Sequence, residues 1–147
     1  MKHKQVNDCI NLLDIPYSKF KINLNIYDIN MYFNNFNSNS LGICNPLCKT
    51  IDIYPFNFEN KDDIKDIKIK FIFSLYHELR HMYQAFYKTK KFIKECFSDI
   101  PYDNQWAEKD ANLFALKQCI KHNKSINEIL NIDYNFINYG IINNIKC

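Results

Sequence analysis

Apolar residues recur along this chain with two periods, and the switches between them mark out its elements. Val6, Ile10 and Leu13 are spaced as on one face of a helix, so residues 3–13 are predicted helical, ending ahead of Pro16. Phe20, Ile22, Leu24 and Ile26 then alternate with Lys21, Asn23, Asn25 and Tyr27, the period of a strand with one face on a core. A second short strand is predicted at residues 31–33. Between residues 41 and 54, Gly42 and the pair Asn45-Pro46 point to two strands joined by a turn. The later of them, Thr50-Ile51-Asp52-Ile53-Tyr54, is expected in a hairpin or at a sheet edge. The strongest helical pattern follows: Asp62 or Asp63 supplies an N-cap, and Ile64, Ile67, Phe71, Leu75, Leu79 and Met82 track one face to about residue 87. Residues 88–91 read as a basic, solvated C-terminal turn, where cations suit the helix dipole. A loop containing Pro101 leads to a second long helix at about residues 104–122, and residues 125–147 read as one or two small helices closing the domain.

These elements make one α+β domain, and 147 residues that are 47% hydrophobic are enough for a single core. A formal charge of +3 over that length falls short of the basic stripe of a nucleic-acid binder, so no nucleic acid is expected as partner. The abundance of Asn, Ile and Lys reads as nucleotide bias, which makes the run from Asn34 to Ser40 a polar loop. No stretch approaches the roughly 18 apolar residues of a membrane span, and the first residues lack the apolar centre of a signal peptide. The expected setting is therefore cytoplasmic, without membrane contact. The six cysteines at positions 9, 44, 48, 96, 119 and 147 then read as reduced thiols.

Candidate chemistry sits inside the first long helix, at His77-Glu78-Leu79-Arg80-His81. Residues four apart on a helix share a side about 6 Å apart along the axis, so His77 and His81 can aim two imidazoles at one metal. Glu78 then lies beside that metal, placed to take a proton from water. The bland alternative is a pair of surface histidines on an amphipathic helix, and context has to decide between the two. A hydrolytic zinc site needs a third protein ligand. The second helix offers Glu108, on a face shared with Ala111, Asn112, Ala115 and Cys119, where small residues let two helices approach. Asp110 is roughly 200° around that helix from Glu108, so both cannot face one metal. Cys44 or Cys48 is the competing third ligand, through sulfur.

The pairing of His77-Glu-Leu-Arg-His81 with Glu108-x-x-Ala-Asn112 resembles the gluzincin-type zinc metallopeptidases, in particular the ImmA/IrrE-like peptidases, over residues 41–116. The chain's only arginine, Arg80, stands where that family commonly has glycine. The resemblance implies a zincin-like fold, a small mixed sheet with an active-site helix and a following glutamate helix. It implies that His77, His81 and Glu108 bind zinc, that Glu78 is the general base, and that Asn112 hydrogen-bonds one of the ligands from behind.

The expected function is peptide-bond hydrolysis through a zinc-bound water, on a polypeptide substrate that is a specific protein or an unfolded segment. Tyr102 is a candidate donor to the oxyanion, and the strand near Ile51 a candidate template for an extended substrate. Arg80 reads as the partner of a nearby carboxylate or as a clamp for a substrate carboxylate. The alternatives are a zinc-stabilised binding or regulatory module without catalysis, and another zinc hydrolase such as a deformylase-type amidase.

Overall fold

The computed structural model describes residues 3–14, 23–26, 41–54 and 63–146. The strand expected at 31–33, half of the alternating segment 20–27, the loop Asn34 to Ser40 and Asp62 lie outside these residues. The elements in chain order are helix α1 (His3–Asn11), strands β1 (Asn23–Ile26), β2 (Gly42–Asn45) and β3 (Thr50–Ile53), and helices α2 (Ile64–Tyr87), α3 (Thr89–Cys96), α4 (Trp106–Lys121), α5 (Asn123–Leu130) and α6 (Phe136–Ile142). A single 3-10 turn, Tyr102–Asn104, precedes α4. The fold is mixed and helix-rich, with one small sheet.

Helix α2 organises the rest. Asp63 caps it, its Oδ1 accepting from the backbone N–H groups of Lys65 at 2.9 Å and Asp66 at 3.3 Å. From Ile69 onward it is buried on more than one side, because the sheet covers one flank and α4 the other. Such all-round burial is expected of a central helix. Across from it, Ala107, Ala111 and Ala115 of α4 are almost or wholly inaccessible, so small side chains set the close approach of the two helices. Helix α1 adds Val6 and Cys9 to the same core, and the Tyr76 hydroxyl donates to the Cys9 carbonyl at 2.7 Å. Ile126, Leu130 and Phe136 close the far end. At Gly140 a Cβ would stand 2.6 Å from Leu116 Cδ2, so a larger residue there would require the buried Leu116 side chain to shift.

Two expectations are corrected here. The expected hairpin forms, with β2 and β3 antiparallel, but β3 is not an edge, because β1 pairs in parallel with its other side to give the order β1-β3-β2. Ile51 and Ile53 are both fully buried. Their alternation with Thr50 and Asp52 looks the same for an edge and a central strand, since strand order depends on a distant partner. The described edge beside α2 is β2 instead. Residues 88–91 are basic and exposed at the α2 C-terminus as expected, but they do not lead into a loop. The Lys88 N–H still bonds Gln84 O at 2.8 Å, and a new helix, α3, begins at Thr89. It docks on α4, where Glu95 accepts from the backbone N–H groups of Trp106 and Ala107, both at 2.7 Å. Those are two of the orphan donors of the α4 N-terminus. Lys91 Nζ lies 4.0 Å from the centre of the Trp106 ring.

Five described cysteines are free thiols, with Cys9 and Cys119 buried. Among the described residues no helix is long and apolar enough to cross a membrane.

Candidate metal centre

Helix α2 carries His77 and His81 one turn apart, and their rings meet edge to face with centroids 4.6 Å apart. The two Nε2 atoms are separated by 2.9 Å. Glu108, in the first turn of α4, reaches both: one carboxylate oxygen lies 3.3 Å from His77 Nε2 and the other 3.0 Å from His81 Nε2. Among the described residues these three form the one group of His, Cys, Asp or Glu side chains able to hold a metal ion together, with ligand atoms all within 4.8 Å of one another. Neither Cys44 nor Cys48 belongs to that group, so sulfur ligation from the β2–β3 hairpin has no geometric support. His122 sits at the far end of α4, away from the cluster.

The other ring nitrogens decide what the cluster can accept. His81 Nδ1 lies 2.8 Å from Gln84 Oε1. The Gln84 amide nitrogen donates to the Ala107 carbonyl at 3.0 Å and to Asp110 Oδ2 at 2.8 Å, both of which only accept. The amide therefore cannot turn over, its oxygen must face His81, and His81 carries its proton on Nδ1. On the other ring, His77 Nδ1 lies 2.9 Å from Asn112 Oδ1, an amide orientation in which that proton also sits on Nδ1. Both Nε2 atoms then present lone pairs to each other and to a carboxylate. With both rings neutral, three acceptors converge on one point, an arrangement that is relieved by a cation or by protonation of an Nε2, which then donates to Glu108. Two imidazoles and a carboxylate are also donors that suit zinc.

The titrations express the same convergence. Burial opposes the Glu108 charge, but hydrogen bonds from His77 and His81 outweigh it and hold its carboxyl down at about 2. Burial likewise disfavours a charged His81, yet the hydrogen bond to Glu108 and the charges of Glu78 and Glu108 raise its pKa.

Glu78 is buried beside the cluster but is not part of it. Burial raises its pKa, offset in part by the two imidazoles, and the backbone N–H of Cys44 donates to its carboxylate. What Cys44 supplies is thus its backbone, while its thiol is pushed up by burial. Gly42 is the counterpart of this packing: a Cβ there would stand 2.9 Å from Glu78 Cγ and 3.1 Å from Glu78 Oε1.

Two cavities flank the centre and share Gly42, Glu78, Tyr102 and Glu108 in their walls. The one on the His81 side, about 250 Å³, is closed by Phe92, Glu95 and Cys96. The one on the His77 side, about 530 Å³, is closed by Leu41, Phe73 and Tyr139. Tyr102 stands where they meet; burial and the neighbouring Glu108, to which its hydroxyl donates, push its pKa up. Arg80 lines neither cavity and is taken up by Asp110, with Nε 2.7 Å and Nη2 3.2 Å from its carboxylate oxygens. The reading of Arg80 as a substrate clamp fails on that pairing. The role of Gln84 was not visible from spacing alone, although a polar residue one turn beyond His81 on a buried stripe was a usable signal.

No known protein family, no curated protein and no solved structure matches the chain.

Proposed function

We propose that this protein is a zinc-dependent metallopeptidase with a zincin-like fold, in which His77, His81 and Glu108 hold the metal. The observation that carries the reading is the convergence of two Nε2 lone pairs and a carboxylate, 2.9–3.3 Å apart, with a separate buried carboxylate set beside them. Zinc bound there supplies Lewis acidity, polarising a carbonyl and making water a better nucleophile near neutral pH.

The chain's own residues do the rest. Glu78, whose pKa burial has raised, takes the proton of the attacking water and returns it to the leaving amine. The Cys44 N–H and the close face of Gly42 fix where that carboxylate points. Tyr102 brings a hydroxyl to the junction of the cavities, in reach of a developing oxyanion. A polypeptide laid across the junction has residues in both cavities, and β2 offers an extended segment the side on which no described strand pairs. Among the described residues Glu78, Glu95, Asp103 and Glu108 line the cavities and no Lys or Arg does. Such walls suit a neutral or basic peptide segment and repel a phosphate backbone. A purely structural metal site has no use for a buried Glu78, whose desolvation is costly.

The deciding experiment compares wild type, Glu78→Gln and a chelator-treated sample on a peptide library read by mass spectrometry. Glu78→Gln is expected to keep zinc and fold while losing hydrolysis by about three orders of magnitude or more. Chelator-sensitive cleavage that persists undiminished in Glu78→Gln refutes the assignment.

A further inference from the structure

We infer that Arg80, Asp110 and Gln84 form a hydrogen-bonded relay that positions His81 for metal binding, so that Asp110, though it cannot reach the metal, acts on it through Gln84. Each link runs one way. Arg80 donates twice to Asp110, at 2.7 and 3.2 Å. Asp110 Oδ2 accepts from the Gln84 amide at 2.8 Å, which turns the Gln84 oxygen to accept from His81 Nδ1 at 2.8 Å. Its start is itself held in place: the Arg80 guanidinium lies 4.6 Å from the Tyr83 ring centre and 4.9 Å from that of Phe114, a cation between two aromatic faces. Its last link is shielded, since Gln84 is fully buried and lines neither cavity. The chain's only arginine and a carboxylate on the opposite helix are thereby accounted for by one device.

The physical consequence concerns the tautomer. A neutral imidazole free to choose spends part of its time with the proton on Nε2, where it cannot bind metal, and a fixed acceptor behind Nδ1 removes that choice. Outer partners of metal-binding histidines typically account for about 10- to 100-fold in affinity.

The relay stands apart from the peptidase reading because its readout is zinc affinity, measured by competition with a chromophoric chelator, with cobalt(II) absorption as a second signature of ligand geometry. Gln84→Leu is expected to weaken zinc binding about 10- to 100-fold and to shift the cobalt bands; Asp110→Ala is expected to weaken it about tenfold. In the double variant the Asp110→Ala loss should vanish, because its effect passes through Gln84. Asp110→Asn, whose side-chain oxygen still accepts from Gln84, should restore most of the affinity even if Gln84→Leu does not fold. Unchanged affinity in Gln84→Leu overturns the relay, as does an Asp110→Ala loss equal in both backgrounds, or no recovery in Asp110→Asn. Zinc bound with the expected variant pattern but without hydrolysis upholds the relay and removes the peptidase. A wild type that binds no zinc removes both.

Discussion

His77 and His81 sit one turn apart on the same helix and face the same carboxylate, yet they are held in different ways. Behind His81 lies a chain of three partners, closed at every step by groups that can only donate or only accept. Behind His77 lies Asn112 alone, on the wall of the larger cavity and with no second bond among the described residues to stop its amide from turning over. The buried half of the centre is thus preorganised, and the half that opens toward the His77-side cavity is adaptable. The difference follows from the outer partners' access to solvent: Asn112 lines the larger cavity, where water can take its place, whereas Gln84 is fully buried and lines neither cavity.

The largest test of this contrast removes each ring in turn. His77→Ala and His81→Ala should both fail to retain zinc through dialysis, as should Glu108→Ala. They should differ in the stability of the metal-free protein. His81→Ala strands the buried Gln84 oxygen and should cost about 1–3 kcal/mol in denaturant unfolding, while His77→Ala leaves Asn112 facing the cavity and should cost less. Equal losses would erase the distinction between the halves.

Gly42, shared by both cavities, probes the junction. A methyl there must push Glu78 aside, so Gly42→Ala should lower peptide hydrolysis by about 100-fold while zinc content, measured by metal analysis, stays at wild-type level. On the adaptable side, Asn112→Ala should weaken zinc binding by about tenfold or less, the low end of the effect expected at Gln84, because water in the cavity can take the amide's place.

The smallest effect is on pH. In the metal-free protein Glu108 has a carboxyl lowered from 4.5 to about 2, so its contribution to stability is present above 4.5 and is lost as pH falls toward 2. His81 has a raised pKa, so its contribution is complete below 6.5 and is lost as pH rises through the folded-state value. The cluster therefore stabilises the metal-free fold most between about pH 4.5 and 6.5. Thermal unfolding across this range should show a shallow maximum that Glu108→Gln removes.

Much of the fold was legible because helices announce themselves locally. The Asp63 cap, the run of α2 to Tyr87 and the two closing helices follow from caps and from a period that a single segment contains. The grouping of His77, His81 and Glu108 was legible for a similar reason. Two of its members are four apart on one helix, and the third stands among alanines that invite a close neighbour.

The amino-acid sequence by itself determined which side chains on α2 point together, that α4 would carry Glu108 and Asn112 on its packed face, and that Asp110 could not share a metal with Glu108. Helical geometry is local, so spacing alone is enough for each of these. Only the tertiary structure decided that β3 lies between β1 and β2, that residues 89–96 fold back as α3 to cap α4, and that Asp110 returns to the centre through Gln84, 26 positions away. Those outcomes depend on how distant elements cross and pair, and a hydrogen-bond partner on another helix leaves no trace in the periodicity of either one.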